Sequence, residues 1–358
     1  MKIISGTKKR IKPFYNFIFR YSFIAGFIYC YRFIKGFIFF KIHKKTPYES
    51  YIAMRQLYVL SNGRFNDFVS YLLSIKKPKY KNIVADGILG NLDPSQVITI
   101  ADEIHNTGYY ISSQKLHPDK VRKIVEFARK TPSSYINLTT SKSQALQEER
   151  IIFNSDAPVS PIYRFDMQQI FENSDLVNLL LDQSLLAVAQ EYLDCIPILD
   201  LVSLWWSVPF HGKGTSEAAQ EFHFDMDRIK FLKIFIYLTD VDTSNGPHCY
   251  VAQSHKRKPK ALLSDGRKSD SEIEKYYLAS DIHELCNTSG TIILADTRGF
   301  HKGKPLITGE RLLFQIEYSN SLFGHDYPKV NLDRSLIDQE SNNVIESYPY
   351  TYKQILSR

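Results

Sequence analysis

From Ile196 onward, apolar and polar positions alternate in short runs: ILDLVSLWWSVP, EFHFDMD, KFLKIFIYLTDVD, HCYVAQ, TIILAD and RLLFQIEYSN, separated by Gly, Pro, Asn, Asp and Ser. Alternation of this kind is what strands produce. No helical pattern intervenes, so the runs predict an antiparallel double-sheet architecture such as a jelly roll, not a parallel sheet with crossover helices. Upstream the texture is helical. Asp93-Pro94-Ser95 opens a helix that runs to about Asn106 and stops at Gly108, a β-prone run covers Tyr109 to Ser112, and Pro118 opens a helix through Lys130. Further helical stretches are expected around Tyr51 to Leu73 and from Asp175 to Tyr192. The expected class is α+β, with a mainly β core behind a helical N-terminal half.

The segment Phe14 to Phe40 stands apart, because YSFIAGFIYC is followed by the near-repeat YRFIKGFIFF. Its longest uncharged run, Tyr21 to Tyr31, has eleven residues, against the roughly 20 that a bilayer span needs. Arg10, Arg20, Arg32 and Lys35 gather on one arc of a helical wheel whose remainder is mostly Phe, Ile and Tyr. That pattern suits a helix lying in a membrane interface, so peripheral membrane contact through residues 10–41 is expected. An arm packed on its own domain or on a second subunit is the other reading.

Charge sharpens this division. Of 45 Lys and Arg in the 358 residues, eleven lie in residues 1–45, which hold no Asp or Glu; the rest of the chain has 34 basic against 38 acidic groups. The net charge of +7 therefore belongs to one terminal segment, and no nucleic-acid partner is expected for the body. Cys30, Cys195, Cys249 and Cys286 are widely spaced with no C-x-x-C pair, which fits neither a disulfide scaffold nor a structural zinc site. A cytoplasmic setting is expected, at the inner face of a membrane if the N-terminal segment attaches there.

The chemistry concentrates in Phe222-His223-Phe224-Asp225-Met226-Asp227. On an extended strand Phe222, Phe224 and Met226 share one face while His223, Asp225 and Asp227 share the other. A His-x-Asp pair joined by one distant His is the facial triad of non-haem Fe(II) oxygenases. His301, in ADTRGFHKGKP just after the run Thr291 to Ala295, is the candidate third ligand. His43, His105 and His117 lie in helical sequence, His211 in a Gly-rich loop, and His283 and His325 outside convincing strands. Beyond His301, Gly303, Pro305 and Gly309 suggest a hairpin that would bring Arg311 onto the neighbouring strand, where a guanidinium offers a planar clamp to a carboxylate.

These residues resemble the phytanoyl-CoA dioxygenase family of Fe(II)- and 2-oxoglutarate-dependent oxygenases. The resemblance runs from about Pro94 to Leu322 and is carried by NTGYYISSQKLHPDKV, FHFDMD, FLKIFIYLTDVDTSNGPH, QSH, GFHKG and GERLLFQIEYS. It implies a double-stranded β-helix (jelly roll, cupin-like), Fe(II) held by His223, Asp225 and His301, and 2-oxoglutarate held by Arg311. It further implies O2 as cosubstrate and hydroxylation of a small or lipid-like substrate, with 2-oxoglutarate decarboxylated to succinate and CO2. Related halogenases lack the carboxylate, so Asp225 favours hydroxylation. Two positions depart from the family: Gln253 replaces a small residue before Ser-His, and Gly303 replaces a hydroxyl two places after the distal His.

The organisation expected is a basic amphipathic segment at 1–45, a helical connector at 46–93, the dioxygenase domain at 94–322 and a polar C-terminal tail at 323–358. Lys233, an isolated cation in FLKIFIYL, needs a partner if buried and is a candidate contact to 2-oxoglutarate. His248 and Trp206 are candidates for the substrate pocket, Asp227 for a rim carboxylate, and His255 for a structural role. Two rivals use the same residues: an inactive jelly-roll binding module at a membrane surface, and a zinc hydrolase.

Overall fold

Local signals set the helix ends. Asp93 accepts from the backbone N–H groups of Ser95 and Gln96 at 2.7 and 3.0 Å, and the Gln96 side chain accepts from the Asp93 N–H at 2.9 Å, with Pro94 in the first turn. These contacts start a helix that Gly108, in the left-handed region, ends. The computed structural model describes residues 22–135, 150–210, 220–328 and 330–356. Residues 1–21, with Arg10 and Arg20, and His211 lie outside the described residues.

The helices are α1 Ser22–His43, α2 Tyr48–Ser61, α3 Arg64–Lys76, α4 Pro94–Thr107, α5 Pro118–Lys130, α6 Met167–Phe171, α7 Ser174–Leu180 and α8 Gln183–Leu193. Two stretches expected as single helices are each divided. Asn62 and Gly63 both adopt left-handed backbone between α2 and α3. Asp182 caps α8 by accepting from Leu185 N–H at 2.9 Å and also takes the Ile88 N–H at 2.7 Å, which separates α8 from α7.

The strands are β1 Tyr109–Lys115, β2 Ser133–Tyr135, β3 Arg150–Ile151, β4 Ile162–Arg164, β5 Ile198–Ser207, β6 Phe231–Tyr237, β7 His248–Val251, β8 Ile282–Leu285, β9 Thr291–Ala295, β10 His301–Gly303 and β11 Arg311–Ser319. All pair antiparallel, in an eight-stranded sheet ordered β1-β9-β6-β11-β5-β4-β2-β3 and a three-stranded sheet ordered β10-β7-β8.

Alternation then sorts the large sheet's side chains. Leu232, Ile234, Ile236, Ile292, Leu294, Leu312, Phe314 and Ile316 pack with α4, α5, α7 and α8. Phe235, Tyr237, Ile293, Ala295 and Leu313 turn the other way and meet Tyr250 and Leu285 of the small sheet. The layers are therefore helices, large sheet and small sheet. The C-terminal tail takes part as well: helix Gln339–Ser347 and its sequel send Ile345, Tyr348, Tyr352 and Ile355 into the helix-side core.

Between β9 and β10 the chain crosses from one sheet to the other, and a buried ion pair fixes the crossing. Asp296 accepts from Arg298 Nε at 3.0 Å and Nη2 at 2.8 Å, and from the Tyr192 hydroxyl; Arg298 Nη1 also reaches Asp67 of α3 at 2.7 Å. Burial works to raise the Asp296 pKa, but the Arg298 charge overrides it and holds the carboxyl well below its usual range. Facing this turn, Gln253 has φ 61° and donates its N–H to Thr107 O at 2.7 Å. That conformation explains why a small residue is usual there in the family it resembles.

Asp296→Ala is expected to cost about 3 kcal/mol, the low end for breaking a buried pair, because it leaves the buried Arg298 guanidinium with only Asp67 as counter-ion; urea denaturation reads this as a lower midpoint. A carboxyl with a depressed folded pKa stabilises the fold above its unfolded pKa and loses that contribution as pH falls through the folded one. The variant's stability should therefore decline less steeply in acid than the parent's. Gln253→Gly should raise stability by up to about 1 kcal/mol, the left-handed penalty for a side chain less the added freedom of the unfolded glycine, seen as a higher Tm.

Candidate active site

Residues 222–227 are extended but do not form a regular strand; Phe222 and His223 make isolated bridges to Lys268 and His301. The expected alternation nevertheless holds. Phe222, Phe224 and Met226 are buried with Tyr58, Cys249, Val251 and Phe300, which turns His223 and Asp225 toward β10. The backbones of His223 and His301 exchange both hydrogen bonds, at 3.0 and 2.9 Å. This pairing brings His223, Asp225 and His301 together so that one ligand atom from each lies within 4.8 Å of the others.

His223 Nε2 stands 3.7 Å from Asp225 Oδ1, and His301 Nε2 stands 3.5 Å from Asp225 Oδ2. The other nitrogen of each ring is occupied: His223 Nδ1 donates to Glu221 O and His301 Nδ1 donates to Gly299 O, both at 3.0 Å. A nitrogen facing a carbonyl must carry the proton, so both Nε2 lone pairs are directed at the carboxylate side and free to bind a cation. Burial lowers the pKa of both imidazoles, with Asp225 opposing the effect and the neighbouring cations and imidazoles adding to it. Burial also pushes the Asp225 pKa up, but Lys233 and the two imidazoles outweigh it and hold the acid ionised. The set is thus two neutral imidazoles and one carboxylate.

Lys233, the candidate contact to 2-oxoglutarate, has its partner within the chain. Its ammonium donates to Asp225 Oδ2 at 2.7 Å and stands 3.6 Å from Glu317. Glu317 is completely buried, which raises its pKa to about 8 against the pull of Lys233. The lysine's charge is therefore committed to Asp225, because an enclosed cation is satisfied by the nearer ionised partner. Asp227 lies farther out, 4.0 Å from Arg55 and within hydrogen-bond range of the Tyr51 hydroxyl, as a rim carboxylate.

Arg311 is not on a strand beside His301. It heads β11 in the large sheet, opposite Ser207, while β10 belongs to the small sheet. The guanidinium reaches across the gap, so that a Cβ on Gly303 would lie 3.3 Å from its Nη2. A hydroxyl-bearing side chain at 303 would press on this group, which gives the glycine a physical reason. Arg311 donates to Gly246 O and, at 3.4 Å, to Ser207 Oγ, while its Nε has no partner. It is 6% exposed, and among the described residues no carboxylate pairs with it.

His248 lies between these two groups. It pairs in register with Gly303, its ring is 5.4 Å from His301 and 4.8 Å from Phe235, and the Arg311 charge adds to burial in lowering its pKa to about 3. Its Nε2 is buried without a partner. Trp206, expected in the substrate pocket, faces the opposite side of the sheet: it is fully buried among the helices, with Nε1 donating to Ala128 O at 3.3 Å. Trp205 is the one turned toward the small sheet.

The residues sequence reasoning missed are Ser207, Gly246, Tyr237 and Glu317. The alternation of β5 and β11 places Ser207 and Glu317 on the inner face, and that was the available signal. The Tyr237 oxygen, which accepts from His248 N–H at 3.0 Å, carries no motif of its own. His283, read as lying outside a strand, is in β8 beside Tyr109 and away from the triad. His255 Nε2 donates to His105 O at 3.0 Å, a structural contact.

Comparison with known proteins can now be set beside this geometry. None of the curated proteins matches the chain. EctD from S. alaskensis with bound Fe is 18% identical, with 70% of this chain and 88% of that one covered at a TM-score of 0.47. HygX from Streptomyces hygroscopicus, with nickel, 2-oxoglutarate and hygromycin B bound, is 17% identical over 65% and 89% at 0.41. The epimerase SnoN of nogalamycin biosynthesis is 16% identical over 63% and 84% at 0.43. The family profile described as phytanoyl-CoA dioxygenase (PhyH) matches residues 104–311, more than half of the chain and a span that takes in His223, Asp225, His301 and Arg311. By that match the chain belongs to the phytanoyl-CoA dioxygenase family and is an Fe(II)- and 2-oxoglutarate-dependent oxygenase-type enzyme that draws on O2.

Proposed function

We propose that the two sheets form a double-stranded β-helix in which His223, Asp225 and His301 hold Fe(II), Arg311 binds the distal carboxylate of 2-oxoglutarate, and the product is a hydroxylated small or lipid-like molecule. The observation that carries this reading is a buried, carboxylate-free guanidinium set across from two neutral imidazoles and one ionised carboxylate. Burying a cation without a counter-ion is costly. A dianionic ligand between the sheets removes that cost, and the orphaned Nε2 of His248 and Nε of Arg311 supply its polar contacts.

When bound, Fe(II) with 2-oxoglutarate and O2 supplies the oxidation of an unactivated C–H bond, with succinate and CO2 as the coproducts. The chain's own residues prepare the place. Glu221 O and Gly299 O fix the imidazole tautomers, and Lys233 orients the carboxylate through Oδ2. Gly246 O and Ser207 hold the guanidinium plane. His223 and Asp225 side chains are each 15% exposed against 7% for His301, so the substrate approaches from the His223 side. Phe235, Ile293 and Leu313 line the space between the sheets and keep it dry. The localisation that goes with this reading is cytoplasmic, and the organisation is a catalytic domain at 94–322 behind N-terminal helices.

Asp225→Ala should weaken Fe(II) binding at least about 100-fold, more than loss of an outer-shell partner does, and abolish succinate formation. Anaerobic titration with Fe(II) and 2-oxoglutarate, followed by the visible metal-to-ligand charge-transfer band, checks it; an unchanged band would remove the triad from the reading. Arg311→Met should raise the KM for 2-oxoglutarate about 100-fold with Fe(II) affinity intact, and His248→Phe about 10-fold, at the usual worth of charged and neutral hydrogen bonds. Product formation without O2 or succinate would favour hydrolysis.

A further inference from the structure

The helix α1 packs one apolar face on its own chain and, among the described residues, leaves a second one exposed. Ala25, Tyr29, Phe33 and Phe40 are buried against α2, α3 and Phe323, and Gly36 sits so close to Ser50 of α2 that any Cβ would overlap its side chain. Around the cylinder from that seam, Ile24, Tyr31, Ile34, Ile38 and Ile42 are exposed by 51, 66, 57, 58 and 69%. Their spacing keeps them on one side of the helix, as a stripe roughly 27 Å long. Arg32, expected on the outer basic arc with Lys35, instead turns toward Glu49 of α2 at 3.1 Å.

Charge gathers at the end of this stripe. Lys41 is pushed down in pKa by burial and then by Lys77, Lys44 and Lys76, which end α3 and follow α1. Lys44 Nζ donates to Lys41 O at 2.8 Å, and Lys77 and Lys353, the latter from the C-terminal tail, lie over the same Tyr350 ring at 5.2 and 3.6 Å; burial and then Lys77, Lys44 and Lys41 lower the Lys353 pKa to about 7. Five lysines from three separate parts of the chain thus crowd one corner, and residues 1–45 contain no acid to neutralise them.

We infer that this face docks on a membrane surface bearing anionic headgroups, with the isoleucine stripe in the acyl boundary and the lysine corner among the phosphates. An apolar stripe with adjacent lysines matches a bilayer interface, which offers hydrocarbon and negative charge side by side. A second copy of the chain would offer a stripe, but in neither orientation would its residues 1–45 supply an acid to meet the lysines. No described helix is long and apolar enough to cross a bilayer.

Flotation of the full chain with vesicles tests this. Vesicles of phosphatidylcholine with about one quarter phosphatidylserine should carry the protein at least about fivefold better than pure phosphatidylcholine, since each lysine near an anionic surface contributes about that factor. Ile34→Asp with Ile38→Asp should reduce binding at least tenfold without lowering the Tm, both side chains being exposed. Lys41→Glu with Lys44→Glu should abolish the preference for phosphatidylserine. The inference is overturned if the parent floats with neither vesicle, or if the aspartate variant floats as well as the parent. It is also overturned if the parent is a stable dimer that the aspartate variant converts to a monomer while neither form floats. Turnover of 2-oxoglutarate by the same variants reports separately on the site.

Discussion

A carboxylate can be enclosed in a protein only where positive charge or donors meet it, and Asp225 fixes where the segments of this fold must converge. Its Oδ2 takes the Lys233 ammonium and faces His301, while its Oδ1 faces His223. Lys233 comes from the centre of the large sheet, His301 from the edge of the small one, and Asp225 from an extended segment belonging to neither. One charge therefore ties together three parts of the chain. Glu317, close to the same lysine, is driven toward its neutral form by burial and leaves the lysine to Asp225.

What could be read from the sequence followed from strict periodicity. The period of two in residues 222–227 placed His223 and Asp225 on one face, and it held although the segment is not a regular strand, because side-chain direction depends on extended backbone and not on ladder pairing. The caps of α4 and α5 were legible because Asp93, Pro94, Gly108 and Pro118 act on their own neighbours. The division between helix-facing and inward-facing positions of β5, β6, β9 and β11 was contained in the same alternation.

What could not be read depends on contacts between segments. A hairpin from His301 to Arg311 is the economical reading of Gly303, Pro305 and Gly309, yet β10 pairs with β7 and β11 pairs with β5 and β6. The turn residues fix a reversal of direction but not the sheet that receives the returning strand. Trp205 and Trp206 show the same limit: alternation says they face opposite ways, and only the packing of α5 against Trp206 says which way is inward. Lys233 was recognisable as needing a partner, while the identity of that partner required the fold.

The N-terminal helices belong to the site's foundation as much as to its periphery. Tyr58 of α2 stacks on Phe224, between the two ligand positions of the 222–227 segment, at 5.7 Å, and its hydroxyl and the Lys258 ammonium both donate to Arg298 O. Lys258 lies over Phe224 at 4.5 Å and over Phe300, the neighbour of His301, at 5.6 Å; its burial lowers its pKa to about 7. From α3, Asp67 reaches Arg298 and so the Asp296 crossing. Taken together these contacts reach both the His223-Asp225 segment and the approach to His301, and Lys258 lies against the two at once. A shift of the helical layer would therefore carry both segments in the same direction, so that α1 could settle on a surface without pulling the three ligand positions apart.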